Sequence, residues 1–460
     1  MGRSDTDAVK RGTWGSRIGF LLAAAGSAVG LGNIWRFPYV TGENGGAIFV
    51  LIYAGFVLLF GIPVMIAELS IGRHTQRNAI GAFKALAPGS SWKLVGVLGV
   101  ATGVGILSFY SVVAGWTVGY LAQALVRGFG GFTSASQSEV AFLRMIGNPW
   151  IACLLLAFFI GATMYVVAGG VAEGIEKWSK ILMPALFCIL VLLALYALTL
   201  DGASRGLQFY LRPDLSKVRA ATFAKALGQA LFSLSLGMGA MITYGSYLPS
   251  RENLPVSAAY VALFDTLVAF LAGLVIFPTL FSMGMDPAGG PGLVFVVLPT
   301  IFGRMFLGRL FGVLFFVLLG LAALTSTISL LEVAVAYLVD EKAWPRQRAV
   351  LVTGLVSFVL GIPSALSQGA VPALSSLPWL RIGFLDLMNA LFGNYALTIG
   401  SLLIALFVGY RWGTHKALAE IGREATRFRY GALWAALIRY LCPIAVAAIL
   451  AYIVVTGQYF

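Results

Sequence analysis

Apolar residues fall in long blocks along almost the whole chain, separated by short polar connections. Each block reaches the roughly 20 residues that an α-helix needs to cross a hydrocarbon core. Eleven blocks qualify, at about 17–38, 46–69, 94–126, 149–168, 178–200, 222–247, 256–283, 306–338, 347–363, 382–411 and 433–456. The pattern predicts an all-α polytopic membrane protein of 11 transmembrane helices, its termini on opposite sides of the bilayer.

Two blocks are interrupted near their middles by glycine and polar residues: the first at Ala25-Gly26-Ser27-Ala28-Val29-Gly30-Leu31-Gly32-Asn33, the sixth at Phe232-Ser233-Leu234-Ser235-Leu236-Gly237-Met238-Gly239. The interruptions lie five blocks apart. A five-helix repeat inserts its second copy upside down, so matched broken helices point to a 5+5 inverted repeat with a site near the midplane. The chain then divides into a tail and inner gate at 1–16, a first repeat at 17–200, an external connection at 201–221 and a second, inverted repeat at 222–411. A cytoplasmic connection at 412–432 and an eleventh helix with an external C-terminus at 433–460 complete it. Close helix packing is the account that suits isolated glycines, but two matched clusters carrying Asn33, Ser233 and Ser235 favour the broken-helix reading over it.

Composition agrees with a bilayer protein. Of 460 residues 59% are hydrophobic and 11% charged, against roughly 25% charged in soluble domains. Positive residues are retained on the cytoplasmic face. One set of alternate connections carries twenty lysines and arginines and the other ten, which places the N-terminus in the cytoplasm. The net charge of +13 follows from these short loops, so nucleic acid is not an expected partner. The first block begins after a charged tail, is longer than a signal peptide's core and has no cleavage site. Cys153, Cys188 and Cys442 lie within apolar blocks, and His74 and His415 on separate connections, so neither a disulfide framework nor a metal centre of the zinc type is expected.

Unsatisfied backbone groups are tolerated at membrane depth only where they line protein or water. A broken helix therefore offers freed carbonyls for a hard cation and N–H groups for a carboxylate. Asn33, Ser233, Thr325 and Ser326 add side-chain oxygens, the ligand type of an alkali cation. Five ionisable residues fall within the blocks: Arg36, Glu68, Asp265, Glu332 and Asp386. Charge at that depth points to function. Asp265 and Glu68 are the deeper candidates, Glu68 either acting directly or satisfying freed N–H groups, and the other three fall nearer the interfaces.

The stretches Trp14-Gly15-Ser16-Arg17, Gly26 to Pro38 (GSAVGLGNIWRFP), Glu43-Asn44-Gly45-Gly46 and Gly228 to Tyr247 (GQALFSLSLGMGAMITYGSY) identify the chain as resembling the prokaryotic neurotransmitter:sodium symporter family, with the leucine-transporter type of fold. Ala322 to Ser326 and Asp340-Glu341 are further anchors, and the resemblance covers essentially the whole chain.

That resemblance implies two sodium sites. The first uses the Ala28 carbonyl, Asn33, Ser233, Asp265 and the substrate's carboxylate; the second uses the carbonyls of Gly26, Val29 and Ala322 with the hydroxyls of Thr325 and Ser326. The same resemblance implies that the substrate carboxylate meets the amides of Leu31 and Gly32 and the Tyr110 hydroxyl. The amino group then meets carbonyls of Ala28, Phe232 and Ser233 and the Ser235 hydroxyl. Ser27, Ile106, Phe232, Met238, Ser326 and Leu330 would line the side-chain pocket. Family members that carry amines have aspartate where this chain has Gly30, so an amino acid with its own carboxylate is implied. An uncharged lining favours a neutral, mostly hydrophobic one. Met238 reads equally as packing or as an adaptable wall.

Gates follow from the same resemblance. Arg36 would close the outer side against a tenth-helix aspartate, but Asn389 stands there. Tyr110 and Phe232 would form an aromatic lid. Arg11, Trp14, Tyr247 and Asp340 would form the inner gate, although a lone Trp or Tyr also serves as an interfacial anchor. The expectation is a sodium-coupled symporter of the cell membrane, in contact with lipid and an amino acid, independent of chloride and not an enzyme. A proton-coupled permease of the same architecture and a membrane amino-acid sensor are the alternatives. Such a permease typically has a positive side chain at the second sodium position, and Lys177 and Lys180 lie too near the end of the fifth block for that.

Overall fold

A computed structural model describes residues 12–132, 134–285, 292–378, 380–423 and 428–457, and within them all regular structure is helical. Nine of the described helices are long and apolar enough to cross a membrane, and a bent pair makes a tenth. The spans are named first to eleventh in chain order. The bent pair, Arg17–Ala28 and Gly32–Glu43, is the first span and turns by 48° at its break. The second to fifth are Ala47–Thr75, Lys93–Val126, Pro149–Ala168 and Val171–Leu198. The seventh to eleventh are Leu254–Ser282, Gly308–Lys342, Arg346–Leu366, Phe384–Ile421 and Gly431–Thr456. The sixth consists of the shorter pieces Ala220–Ser233 and Ala240–Gly245.

Local chemistry explains both breaks. The first helix starts at Ser16, whose hydroxyl accepts from the Gly19 amide, and ends at Val29, whose ψ of 109° leaves the helical region. In the sixth span Ser235, Gly237 and Gly239 all take positive φ, at 53°, 81° and 76°. Glycine meets that geometry without strain, whereas Ser235 holds it as a non-glycine residue. Gly237 is constrained twice, since a Cβ there would come within 2.3 Å of the Leu397 carbonyl and 2.5 Å of Ser401 Oγ. The tenth span therefore presses directly on the break.

The third and eighth spans pack along much of their length, and the eighth also lies on the first half of the first span and on the fifth. Short helices occupy the connections: Ala135–Ile146, Ala203–Leu211 and Leu293–Arg304. The tenth helix runs on to Ile421, past the end of its apolar block. That extension carries Glu420, whose buried carboxylate meets Arg73 Nε at 2.8 Å, His74 Nδ1 at 2.9 Å and Arg423 at 3.2 Å. His74, read from sequence as lying on a connection, is thus held in a polar junction. Arg73 also donates to the carbonyls of Ser250 and Glu252, and Arg17 pairs with the Glu252 side chain at 3.0 Å. One buried guanidinium so ties the end of the second span to the sixth-to-seventh connection and to the tenth span. Removing one partner of such a pair costs about 3–5 kcal/mol because the other charge stays buried.

Candidate functional site

The two breaks meet at a small cavity in the middle of the protein. Ser27, Ala28, Gly30 and Gly32 come from the first span, Phe232, Ser233, Ser235 and Met238 from the sixth. Ile106 and Tyr110 of the third span and Ser326 and Leu330 of the eighth close it. The space is about 20 Å³, enough for about one water. A larger chamber of about 230 Å³ adjoins it and shares Gly32, Tyr110 and Phe232 with it. Tyr110 and Phe232 therefore stand between the two. Leu31 lines the larger chamber, not the small one, and its amide donates to Tyr110 Oη at 2.7 Å.

On one flank lies a fully buried polar cluster around Asp265. Its Oδ1 accepts from Asn33 Nδ2 and from Ser233 Oγ, each at 2.7 Å, and its Oδ2 from Tyr53 Oη at 2.7 Å. The Asn33 amide group also reaches Ser233 Oγ at 3.0 Å, and Asn33 Oδ1 accepts from the Gly30 amide at 3.0 Å. A carboxylate without water is stable only with donors of this kind. Tyr53 was not among the expected residues; its one signal is a phenol inside an otherwise apolar stretch of the second span. Gln229, also unassigned from sequence, donates from Nε2 to the Gly32 carbonyl at 2.8 Å and so fixes the freed backbone beyond the first break.

The opposite flank gathers hydroxyls and carbonyls. Thr325 Oγ1 and Ser326 Oγ each lie 3.3 Å from the Val29 carbonyl, and Thr325 Oγ1 is 2.9 Å from that of Ala322. A Cβ on Gly26 would stand 3.1 Å from Thr325 Cβ and 3.3 Å from the Met183 sulfur, so Gly26 backs directly onto this cluster. Ser235 Oγ donates to the Ser27 carbonyl at 2.7 Å, and Ser27 Oγ to Ser329 Oγ at 2.8 Å. Ser27 thereby links the end of the first half-helix to the sixth and eighth spans. Sequence alone did not single out Ser329, one of several hydroxyls on that helix.

Glu68 faces the sixth-span break, where its Oε1 accepts from the Gly237 amide at 2.7 Å. Of the two readings open for Glu68, satisfying a freed N–H group is the one this contact matches. Outside the cavity, the Arg36 guanidinium lies 4.9 Å over the Phe232 ring. Arg36, Asp386 and Asn389 all line the larger chamber.

At the N-terminal side, Trp14 is buried, with its indole N–H on the Tyr244 carbonyl at 3.0 Å and its ring against Tyr244 and Tyr247. Tyr247 donates to Glu332 at 2.7 Å, and Arg346 forks onto the same carboxylate at 2.6 and 3.2 Å. Glu332 is thus a fully buried, paired group. Asp340 accepts from the amide and side chain of Asn78 at 3.2 and 3.3 Å. Arg11 lies outside the described residues. Glu176 at the start of the fifth span accepts from the Gly15 amide at 2.6 Å and from Ser16 Oγ at 2.7 Å. Lys180 pairs with Glu176 at 2.6 Å and is partly exposed, apart from the buried hydroxyl cluster.

A family model described as the sodium:neurotransmitter symporter family matches residues 11–136 and 135–459. A sodium-dependent transporter of Bacillus subtilis, YhdH, is 42% identical over 94% of this chain and 95% of its own. A sodium-dependent transporter of Haemophilus influenzae is 34% identical over 96% of this chain and 98% of its own. The crystal structure of MhsT in complex with L-phenylalanine superposes with a TM-score of 0.86, at 48% identity, over 96% of this chain and 99% of that one.

Proposed function

The chain belongs to the sodium:neurotransmitter symporter family, and from that premise we propose that it carries a neutral, mostly hydrophobic L-amino acid into the cell together with sodium, by alternating access and without chloride. It is an integral membrane protein and a sodium-dependent transporter, of a family of carriers and not of enzymes. We place it in the cell membrane with the N-terminus in the cytoplasm, which makes the Trp14 end the inner side.

The observation that carries this reading is the meeting of two helix breaks at one cavity with an oxygen cluster on either flank. Asn33, Ser233 and Asp265, with the Ala28 carbonyl and the substrate's own carboxylate, hold one sodium. Gly26, Val29, Ala322, Thr325 and Ser326 hold the second. Both sets are hard oxygen donors, the chemistry a cation such as sodium takes. The Leu31 and Gly32 amides and the Tyr110 hydroxyl receive the substrate carboxylate, which replaces Tyr110 as the acceptor for Leu31.

Gly30 argues for a substrate that brings this carboxylate. A Cβ there would lie 2.4 Å from Ser326 Oγ and 2.6 Å from Tyr110 Oη, so an acidic side chain in its place would have to displace both hydroxyls. MhsT, similar over nearly the whole chain, was crystallised with L-phenylalanine, and an aromatic or aliphatic amino acid suits the uncharged walls. Because the inner cavity holds about one water, Tyr110 and Phe232 swing aside to admit the substrate and return over it. Sodium drives the cycle only by binding the outward-open state more tightly than the inward-open one.

The test is uptake of labelled neutral amino acids into proteoliposomes under an inward sodium gradient, with potassium and proton gradients as controls. Sodium-driven accumulation is expected. Equal accumulation under a proton gradient alone would replace this reading with a proton-coupled permease, and binding without accumulation would replace it with a sensor.

A further inference from the structure

Away from the central site, the membrane-facing surface at the N-terminal side carries a groove of about 450 Å³. Ile62 and Ile66 of the second span, Val256 and Ala259 of the seventh, and Leu433 and Leu437 of the eleventh wall it. Leu433 is 58% exposed and Val256 39%, so these walls face outward. All three helices have an end on this side, at Thr75, Leu254 and Gly431. There the groove opens onto Arg429, which is exposed and makes no ion pair among the described residues.

We propose that this groove binds one anionic phospholipid of the leaflet on the N-terminal side, an acyl chain lying in the groove and the phosphate at Arg429. Size favours a lipid chain. An open, apolar slot of about 450 Å³ gives room for a flexible acyl chain.

Charge selects an anionic head. The connection 409–439 holds six lysines and arginines against the two acids Glu420 and Glu424. Glu420 is already matched by Arg73, His74 and Arg423. Positive clusters beside a membrane helix attract anionic headgroups within a Debye length, and Arg429 is the cation placed at the mouth of an apolar slot. The groove also adjoins the buried polar junction, because Ile421 follows Glu420 and Asn253 follows Glu252 and both line it. A lipid seated there braces the same segments that Arg73 ties together.

The test uses the full chain in nanodiscs of equimolar phosphatidylcholine and phosphatidylglycerol, with retained lipid read by native mass spectrometry. The wild type should retain one phosphatidylglycerol several-fold in preference to phosphatidylcholine. Arg429→Gln should bring the two lipids to parity, and Ala259→Trp, which fills the groove, should reduce retention of both. Phosphatidylglycerol should raise the melting temperature of the wild type more than that of Arg429→Gln, as a ligand specific to the folded state does. Sodium-dependent thermal stabilisation of each variant checks that it is folded. Parity in the wild type, a preference unchanged in Arg429→Gln, or a second copy of the chain displaced from the groove by Ala259→Trp would overturn the proposal. The wild-type measurement decides by itself if either variant fails to fold. Nanodiscs present both leaflets alike, so the result is independent of the transport direction proposed above.

Discussion

Tyr53 Oη donates to Asp265 Oδ2 at 2.7 Å and is the second span's contribution to a carboxylate otherwise held by the first and sixth. Tyr53→Phe keeps the ring but leaves one carboxylate oxygen buried without that donor, a loss of about 1–3 kcal/mol. Thermal unfolding with and without sodium should show a lower melting temperature and a sodium affinity weakened several-fold. A variant with the parent's melting temperature and sodium affinity would show that Tyr53 does not position Asp265.

The proposed chloride independence rests on Asp265. In the proposed first sodium site its carboxylate supplies the negative charge beside the ion, and a second anion there would be repelled. Uptake should be the same in chloride and gluconate. Asp265→Asn should lose most activity and regain part of it in chloride. Strong chloride dependence of the unmodified protein would rule out the built-in counter-charge.

Thr325 and Ser326 both point at the Val29 carbonyl, 3.3 Å away, across the eighth-to-first span contact. Replacing both by Ala removes two of the proposed oxygen ligands, together with the Thr325 γ-methyl that packs near Gly26. The sodium concentration for half-maximal uptake should rise at least several-fold with folding intact. Unchanged sodium affinity in a folded double mutant would place the second ion elsewhere.

Helix number and the two breaks were legible because period and composition report them directly. Eleven apolar blocks matched ten spans plus one divided sixth span, whose second piece, Ala240–Gly245, is too short to register by length. The positions of Ser233, Asp265 and Asn33 along the chain gave the chemistry but not its wiring. Tyr53 and Gln229 act through partners roughly 200 residues away, and no local pattern marks such pairs. Arg73 and Glu420 likewise read as ordinary loop charges until the tenth helix is seen to continue past its apolar block.

Asn389 faces the chamber that Arg36 and Asp386 also line. Asn389→Asp adds a carboxylate to the chamber that the guanidinium lines, and a charge-assisted contact is about twice as strong as a neutral one. Closure over the site should strengthen, and exchange of bound labelled substrate should slow. Exchange that is unaltered or faster would mean that Asp386 already serves Arg36, or that residue 389 does not meet it.

The fifth span is where inner release should be controlled. Gly174 lies in the wide turn Val171–Glu176, and Pro184 sits inside the helix that follows, where it removes a backbone hydrogen bond. Between them, Glu176 holds the start of the first span through Gly15 and Ser16. Met183, next to Pro184, approaches Gly26 and the Thr325 cluster. A segment weakened at both ends therefore lies between the start of the first span and the proposed second sodium site. Unwinding between Gly174 and Pro184 would release Glu176 from the first half-helix and withdraw Met183 together. Pro184→Ala restores the missing hydrogen bond and stiffens this segment. Net uptake should slow several-fold while equilibrium binding of the amino acid changes little, a split that separates a release defect from a damaged site. Equal uptake rates in mutant and parent would remove the fifth span from the release step.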